Sequence, residues 1–267
     1  MAFLSAHDLF GVPNSGYYST AKSVFDFVYS QAWSTDTCSG GLWWSSKKNY
    51  KNAITNELAL YNAVHLYQAG AGKDYLAKAF RIWNWFNQSG MINPRGLVND
   101  GLQVVGKNAS VCKNNGQSTW TYNQGVLVGA LVRLSDATNR SDFVKVAVTI
   151  ADATLTQLVT KDGILSEVCG SSCNEDGVTF KGIFVRNLRA LIDNPFLDAA
   201  TKTRYCTFLN HNARSAVAHA RTAAGLYGGL WQGPVTNQSS PVPQTDNIGA
   251  APQTSAVELL VAAASCP

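Results

Sequence analysis

The sequence has no long apolar run and few charged residues, and both absences exclude classes of protein. No stretch approaches about 18 consecutive apolar residues, so a membrane span is not expected. Charged residues make up 14% of the 267 positions and the net charge is only +4, so no nucleic-acid partner is expected. Basic residues cluster at Lys47, Lys48 and Lys51, which indicates a solvated loop. The 46% of hydrophobic residues suffices for a sizeable core.

The N-terminal segment lacks the features of a signal peptide. The first residues, MAFLSAHDLFGVPNSG, have no basic start, and His7 and Asp8 interrupt the apolar run. The pattern is instead typical of the inside of a helix that ends at Gly11 and Pro13. We therefore expect that something upstream of Met1 is missing from this chain.

Metal-binding patterns are absent, whereas cysteines are present in an even number. No CxxC pair occurs and the four histidines are scattered, so a zinc site is the less favoured interpretation, and neither metal nor cofactor is expected. The six cysteines suit disulfides. Four N-x-S/T sequons occur, at Asn87, Asn108, Asn139 and Asn237. Together they favour a glycosylated protein that is secreted or held in a cell wall.

Helical periodicity dominates the sequence. The segment DYLAKAFRIWNWF places Leu76, Phe80, Trp83 and Phe86 on one stripe at helical spacing. Its neighbour, residues 52–68, is apolar nearly all round, which is typical of a helix buried on every side. The two segments predict a hairpin of one inner and one outer helix.

The hairpin pattern recurs along the chain. The predicted helices are 1–10, 17–31, 52–68, 75–87, 122–138, 142–159, 180–193, 200–220 and 254–265. The spacing of the inner helices is too irregular for a solenoid and suits a ring of hairpins in one all-α domain over residues 1–267. The inner helices 52–68 and 122–138 should be more buried than the outer helices 75–87 and 142–159.

A sequence alone does not give disulfide connectivity, but the helix pattern limits it. Cys38 and Cys112 lie in loops that enter, or lead to, an inner helix, so we expect their Cα atoms within about 7 Å. The remaining pairs then follow by elimination. Cys169 pairs with Cys173, which closes a small loop, and Cys206 pairs with Cys266.

Aromatic, amide and carboxylate residues recur in the loops that enter the inner helices. If these helices run parallel, the loops gather at one end of the ring, where a concave site is expected. Aromatic rings stack on sugar faces while amides and carboxylates pair with hydroxyls, so the composition predicts carbohydrate binding. The candidate substrate-binding residues are Trp43, Trp44, Asn56, Glu57, Asn99, Asp100, Trp120, Tyr122, Asn123, Gln124 and Lys181, and the same segments also offer Arg186 and Trp231. The open alternative is that both Trp43 and Trp44 are core residues and Glu57 pairs with a lysine.

Four long segments occur in a recognisable order. They are GGLWWSSKKNYKNAITNELALYNAVHL, WNWFNQSGMINPRGLVNDGL, WTYNQGVLVGALVRL and FKGIFVRNLRAL. They resemble signature segments of glycoside hydrolase family 76, the endo-α-1,6-mannanases and related fungal cell-wall enzymes. The resemblance implies an (α/α)6 toroid and retaining cleavage of α-1,6-mannan by two adjacent aspartates. The implied partner is α-mannan or a mannooligosaccharide, bound by a monomer.

The sequence departs from this family at the catalytic pair, because no Asp-Asp occurs in it. In the family the pair lies at the head of an inner helix. The segment MAFLSAHDLFGV resembles the continuation of that helix, so the pair is expected just before Met1. Glu175 and Asp176 are adjacent but lie in the cysteine loop and do not match the motif. No catalytic residue is therefore assigned. The nine predicted helices, where a full ring needs twelve, lead us to expect a toroid that is incomplete at its N-terminus.

These observations predict an α-mannan hydrolase or wall-remodelling enzyme that is inactive as given. Retaining hydrolysis needs one carboxylate to attack and a second to protonate the leaving oxygen. The chain is expected to bind α-1,6-mannooligosaccharide weakly or not at all, and not to cleave it. Use of Glu57 or Asp100 as an acid is the less favoured possibility. The alternative function is a non-catalytic carbohydrate-binding or structural remnant, which an in-frame Asp-Asp encoded just upstream would argue against.

Overall fold

The computed structural model describes residues 1–11, 16–105, 111–235 and 248–266. These residues form nine α-helices and one two-stranded antiparallel sheet, so the all-α prediction is confirmed. The helices are α1 (Ala2–Phe10), α2 (Tyr17–Ala32), α3 (Ala53–Gln68), α4 (Lys73–Gln88), α5 (Thr121–Thr138), α6 (Asp142–Gln157), α7 (Glu175–Asp193), α8 (Ala199–His219) and α9 (Ala250–Ala264). The strands are β1 (Leu102–Val104) and β2 (Cys112–Asn114).

The start of α7 differs from the prediction. Glu175 and Asp176 form its first turn and do not belong to the cysteine loop. The Asn174 side chain caps the helix by accepting a hydrogen bond from the Gly177 N–H at 2.9 Å. Acidic residues in a first turn also favour the helix dipole, so this local chemistry extends α7 toward the N-terminus.

The chain divides into two compact units, and each is described by itself. The first comprises Met1–Ser118 with Ala130–Phe143, and the second comprises Thr119–Gly129 with Val144–Pro267. Within the first unit α1 packs on α2, α2 on α3, and α3 on α4. Within the second, α9 packs on α7 and α8. The single-domain expectation stays a prediction.

Burial separates the helices as their patterns predict. Helix α3 buries residues on several faces, including Leu60, Val64 and Leu66, whereas α4 buries one stripe that contains Ile82 and Phe86. Helix α5 is buried along most of its length, whereas the buried positions of α6 alternate with exposed ones. The contrast between inner and outer helices is therefore confirmed.

Lys51 is buried, which corrects the expectation that it belongs to a solvated basic loop. Its ammonium group donates hydrogen bonds to the carbonyl oxygens of Ser34, Thr37 and Gly40 at 2.7, 2.7 and 2.6 Å. Burial lowers the pKa of Lys51 to about 8, and the negative charge of Asp36 opposes this shift. Lys51 thus fixes the loop between α2 and α3 from the inside.

The same loop lies on the ring of Trp85. A Cβ atom at Gly40 or Gly41 would lie 2.5 or 2.4 Å from ring atoms of Trp85, so no side chain fits at either position. Their φ angles of 153° and 89° are also ones that glycine adopts readily. The Trp85 indole N–H donates to the Cys38 carbonyl oxygen at 2.8 Å. The loop is therefore fixed from both sides.

The three predicted disulfides are confirmed. Their Cα–Cα distances are 5.0, 5.0 and 5.5 Å for Cys38–Cys112, Cys169–Cys173 and Cys206–Cys266. The first joins the loop after α2 to β2, and the last joins α8 to the second residue after the end of α9. Each bridge lies within a single unit.

Two surface features bear on localisation. Among the described residues, no helix is long and apolar enough to cross a membrane. The sequon residues Asn87 and Asn139 are exposed, whereas Asn108 and Asn237 lie outside the described residues.

Candidate functional site

The loop that enters α3 carries an exposed tryptophan. Trp44 is 61% exposed, and its backbone N–H donates to the Tyr50 carbonyl oxygen at 2.9 Å. The two rings meet edge to face with their centroids 6.5 Å apart. Because the second ring holds the first in place, Trp44 offers a fixed aromatic surface to the C–H face of a sugar. This exposure excludes the alternative in which Trp44 is a core residue.

Tyr50 connects this tryptophan to a carboxylate. Its hydroxyl group donates a hydrogen bond to Asp100 Oδ2 and accepts one from Asn115 Nδ2 at 2.9 Å. Burial, and then the hydrogen bond to Asp100, raises the pKa of Tyr50, so the phenol keeps its proton. No side chain fits at Gly101, because a Cβ there would lie 2.5 Å from the Tyr50 hydroxyl oxygen.

Glu57 adds a buried acid to this group. It lies on α3 and is fully buried, and neither carboxyl oxygen has a hydrogen-bond partner among the described residues. Burial first, and the negative charge of Asp100 second, raise the pKa of Glu57 well above its ordinary value. Glu57 is therefore a neutral acid at neutral pH, and the alternative of a lysine partner is wrong. We call Trp44, Tyr50, Glu57, Asp100 and Asn115 the Trp44 cluster.

The side chains of Asn56 and Trp43 hold the backbone of the same loop. The Asn56 amide accepts from the Leu42 N–H at 2.8 Å and donates to the carbonyl oxygens of Leu42 and Asn52 at 3.2 and 2.8 Å. Trp43 is half-buried, and the Lys51 ammonium lies 4.6 Å from its ring centroid. These contacts give both residues a role in positioning the loop that carries Trp44.

Asn99 is likewise engaged by its own surroundings. Its Oδ1 accepts hydrogen bonds from the side chains of Asn93 and Asn114 at 2.8 and 3.0 Å, and its Nδ2 donates to the Gln117 carbonyl oxygen. Asn99 thus ties the segment before β1 to the residues after β2. Its neighbour Asp100 is half-buried and belongs to the Trp44 cluster.

The second unit holds an aromatic group at the start of α5. Trp120 and Tyr122 both contact Phe180 of α7, with ring centroids 5.7 and 4.2 Å apart. All three side chains are half-buried. Asn123 is fully buried with no hydrogen-bond partner for its amide among the described residues, and Gln124 donates to the Trp120 carbonyl oxygen at 3.0 Å.

Lys181 lies in a buried network of the second unit. It is 2% exposed, donates to the Gly229 carbonyl oxygen at 2.6 Å, and lies 4.8 Å from the ring centroid of Trp231. Burial lowers the pKa of Lys181 to about 8, and the charge of Glu167 opposes the shift. Trp231 is fully buried, so the expectation that it offers a ring to substrate is wrong.

Glu167 completes this network. Its carboxylate accepts hydrogen bonds from the Thr121 N–H at 3.2 and 3.3 Å, from the Thr121 hydroxyl group, and from the Val168 N–H at 3.1 Å. Burial raises the pKa of Glu167, whereas these hydrogen bonds and the charge of Lys181 lower it. A carboxylate at the first amide of α5 also suits the helix dipole. Arg186, offered with Lys181 on α7, is exposed and forms an ion pair with Glu258.

Sequence reasoning missed four residues of these groups. Tyr50 and Asn115 belong to the Trp44 cluster, and Glu167 and Phe180 belong to the second unit. Tyr50 lies two residues before Asn52, the N-cap of α3. Its position in the same aromatic loop as Trp43 and Trp44 could have identified it as a candidate site residue. The other three depend on contacts between distant segments that no local pattern reveals. Among the described residues, no group of three or more metal-binding side chains is placed to hold an ion.

Comparison with known proteins gives a consistent result. The family model for glycosyl hydrolase family 76 matches residues 1–264. A mannan endo-1,6-alpha-mannosidase of Saccharomyces cerevisiae is 31% identical over 183 residues, which cover 65% of this chain and 39% of the relative. A mannan endo-1,6-alpha-mannosidase of Candida albicans is 27% identical over 188 residues, which cover 66% of this chain and 40% of the relative. The chain thus spans about two fifths of the length of these curated relatives.

Solved structures extend the comparison to the fold. An alpha-1,6-mannanase of a Salegentibacter species matches 100% of this chain and 73% of its own, with a TM-score of 0.84 and 26% identity. An inactive variant of that enzyme, with two adjacent aspartates replaced, was solved with alpha-1,6-mannotriose and matches with a TM-score of 0.83 and 27% identity over the same shares. This likeness assigns the fold to the α/α toroids. With a family model that covers nearly its whole length, the chain belongs to glycosyl hydrolase family 76.

Proposed function

We propose that this family 76 domain recognises α-1,6-linked mannose units through the Trp44 cluster, and that the 267-residue chain does not hydrolyse them. The observation that carries the proposal is the contact series from exposed Trp44 through Tyr50 to Asp100, with neutral Glu57 beside it. It combines a ring for stacking with hydrogen-bonding groups for sugar hydroxyls. The relatives' names and the mannotriose complex point to the substrate class.

The polar groups of the cluster suit recognition of hydroxyl groups. Asp100 accepts hydrogen bonds, as it does from Tyr50, and a sugar hydroxyl offers the same kind of donor. The hydrogen bonds of the Tyr50 hydroxyl group with Asp100 and Asn115 fix these groups before a ligand arrives, which lowers the ordering cost of binding. A single exposed ring with two or three polar partners supports weak binding, in the millimolar range of about 4 kcal/mol.

Turnover needs chemistry that the cluster does not supply. Retaining hydrolysis requires a nucleophilic carboxylate and an acid about 5–5.5 Å apart on either side of the bond. The 267 residues contain no adjacent aspartates, and the related enzyme whose pair is replaced is inactive. Glu57 is neutral and fully buried, so it is neither a nucleophile nor accessible to a glycosidic oxygen.

We also propose that the protein works outside the cytosol, secreted or in a cell wall, as a monomer. Three disulfides use all six cysteines, which suits an oxidising compartment. The exposed sequon residues Asn87 and Asn139 are sites at which glycans can be attached.

The second candidate function is a carbohydrate-binding or structural remnant. The absence of adjacent aspartates from the 267 residues favours it as well. A remnant of this kind would bind carbohydrate and would not take part in its cleavage.

The binding proposal is tested with α-1,6-mannotriose as the probe. We expect Trp44→Ala to weaken binding by about two- to twelvefold, because a stacked ring contributes about 0.5–1.5 kcal/mol. Its melting temperature should stay near that of the unmodified chain, since Trp44 is 61% exposed. Titration calorimetry and thermal unfolding measure both quantities.

A matched control is Phe27→Ala, because Phe27 is an aromatic residue of the same unit that is 68% exposed and outside the cluster. This variant should bind mannotriose like the unmodified chain. Equal affinity of Trp44→Ala and Phe27→Ala would contradict the assignment of the Trp44 cluster.

A further inference from the structure

A second groove lies in the first unit beside α4. One cavity of about 660 Å³ is lined by Trp33, Arg81, Asn84 and Gln88. A neighbouring cavity of about 670 Å³ shares Trp33, Thr35 and Arg81 with it. Because the two share these residues, the cavities adjoin at Trp33, and we refer to them together as the groove. Each has a volume within the range of about 300–1,000 Å³ typical of ligand sites.

The side chains of this groove suit a hydroxyl-rich ligand. Arg81, Asn84 and Gln88 are all exposed and recur at helical spacing, so they share one face of α4. The Trp33 indole is half-buried, stacks on Tyr29 with centroids 5.6 Å apart, and has the Arg81 guanidinium 6.0 Å from its ring centroid. An aromatic ring beside amide and guanidinium donors is the combination by which sugars are bound.

The mixed charge in the groove disfavours a nucleic acid as its ligand. Arg81 and Lys48 supply two positive charges, and Asp36 supplies a negative charge along the same lining. Nucleic acids are bound by larger clusters of one sign. The amide and hydroxyl groups of Asn84, Gln88 and Thr35 equally disfavour an apolar ligand, because they would lose hydrogen bonds to water without replacement.

The wall of the groove is fixed in advance. Residues 33–41 are held by the three hydrogen bonds from Lys51, by the Trp85 indole N–H on the Cys38 carbonyl oxygen, and by the Cys38–Cys112 bridge. Cys38 and Ser39 have φ angles of 53° and 56°, a conformation that costs a residue with a Cβ about 1 kcal/mol or more. Such strain concentrates at binding sites, where the surrounding structure maintains it.

We propose that this groove binds a neutral glycan chain as a second site on the same unit, with Trp33 as its aromatic surface. The inference rests on the proposed function in one respect, because the glycan is taken to be the α-1,6-linked mannan that the Trp44 cluster recognises. Trp43, the residue directly before Trp44 in the chain, also lines the groove, so the groove and the Trp44 cluster are neighbours in sequence. A polymer held at both places would dissociate more slowly than one held at either.

Indole N–H resonances of the full chain, made in bacteria so that it carries no glycan, report each site separately. The seven tryptophans give seven signals that single Trp→Phe substitutions assign. We expect α-1,6-mannotetraose to shift the Trp33 and Trp44 signals, and the Trp33 shift to persist in Trp44→Ala. Asn84→Ala should raise the Kd read from the Trp33 signal about fivefold, the effect of one lost hydrogen bond.

Asn87→Ala is the matched control, because Asn87 is exposed on the same helix but does not line the groove. It should leave the Trp33 titration unchanged. A shift of the Trp44 signal alone would overturn this inference and leave the proposed function standing. A shift of Trp33 alone would support the groove and contradict the Trp44 assignment, and no shift of either would overturn both.

Discussion

Glu57 occupies an environment that a carboxyl group rarely tolerates. It is fully buried on α3, without a hydrogen-bond partner among the described residues, and near the charge of Asp100. Both conditions favour the protonated form, so folding and proton uptake are linked at this residue. Buried groups with a raised pKa cluster at functional sites, so this environment supports the placement of the candidate site beside Glu57.

The linkage gives a pH-dependent prediction for Glu57→Gln. Above the ordinary glutamate pKa the unfolded chain ionises while folded Glu57 keeps its proton, so the stability of the unmodified chain falls as pH rises. The variant lacks this loss. Its unfolding free energy, relative to the unmodified chain, should rise by at least about 1 kcal/mol between about pH 4 and pH 7.

Urea unfolding at several pH values measures this difference. A flat difference for Glu57→Gln would show that the folded carboxyl group ionises like a solvated one.

Lys51 is the second residue whose burial carries a prediction. Its ammonium group is the donor for three carbonyl oxygens of the loop after α2. Lys51→Met should lower the free energy of unfolding by about 3 kcal/mol or more, because three carbonyl oxygens lose their donor and each buried unsatisfied group costs about 1–3 kcal/mol. Lys47→Met, at an exposed position of the same loop, should change it by less than about 0.5 kcal/mol. Equal effects in chemical denaturation would contradict the role assigned to Lys51.

Individual environments were the hardest feature to derive from sequence. A lysine in a KKNYKN segment has the composition of a solvated loop, and the three carbonyl oxygens that surround Lys51 come from residues 11 to 17 positions earlier. Trp231 was misjudged for the same reason, because its partner Lys181 lies 50 residues away in the chain and covers its ring. Burial of this kind depends on tertiary contacts rather than on local pattern.

At the scale of elements the sequence was far more informative. The stripe on α4 and the all-round apolar character of α3 are properties of 16-residue segments, so periodicity alone separates the two helices. Capping residues set where each helix begins and ends. The Asn174 cap starts α7 at Glu175, five residues before the predicted start at residue 180. The small sheet of β1 and β2 was not predicted, because three residues on each strand are too few for a period-two pattern.

The disulfides provide a prediction about elements. Removing Cys38–Cys112 by paired alanine substitution should lower the free energy of unfolding by about 4 kcal/mol, since that bridge closes a loop of 74 residues. Removing Cys169–Cys173, which closes a separation of four residues, should lower it by about 2 kcal/mol. Denaturant titration of the two double variants tests the order, and a larger loss for the short loop would contradict it.

At the scale of the whole molecule, family membership and activity are separate conclusions. The family model covers residues 1–264, whereas the chain spans about two fifths of its curated relatives. Segment motifs predicted the family and the toroid class, because they extend over many residues of contiguous sequence. They did not supply a catalytic pair, since no adjacent aspartates occur in the 267 residues.

The claim of recognition without turnover is tested most directly by one NMR experiment on α-1,6-mannotetraose incubated for a day with the 267-residue chain. Ligand line widths report binding, and new reducing-end anomeric signals report cleavage. We predict broadened ligand signals, narrower ones when Trp44→Ala replaces the unmodified chain, and no new anomeric signals with either protein. Growth of reducing-end signals would contradict the account, because a carboxylate among Glu57, Asp100, Glu175 or Asp176 would then have to perform the chemistry.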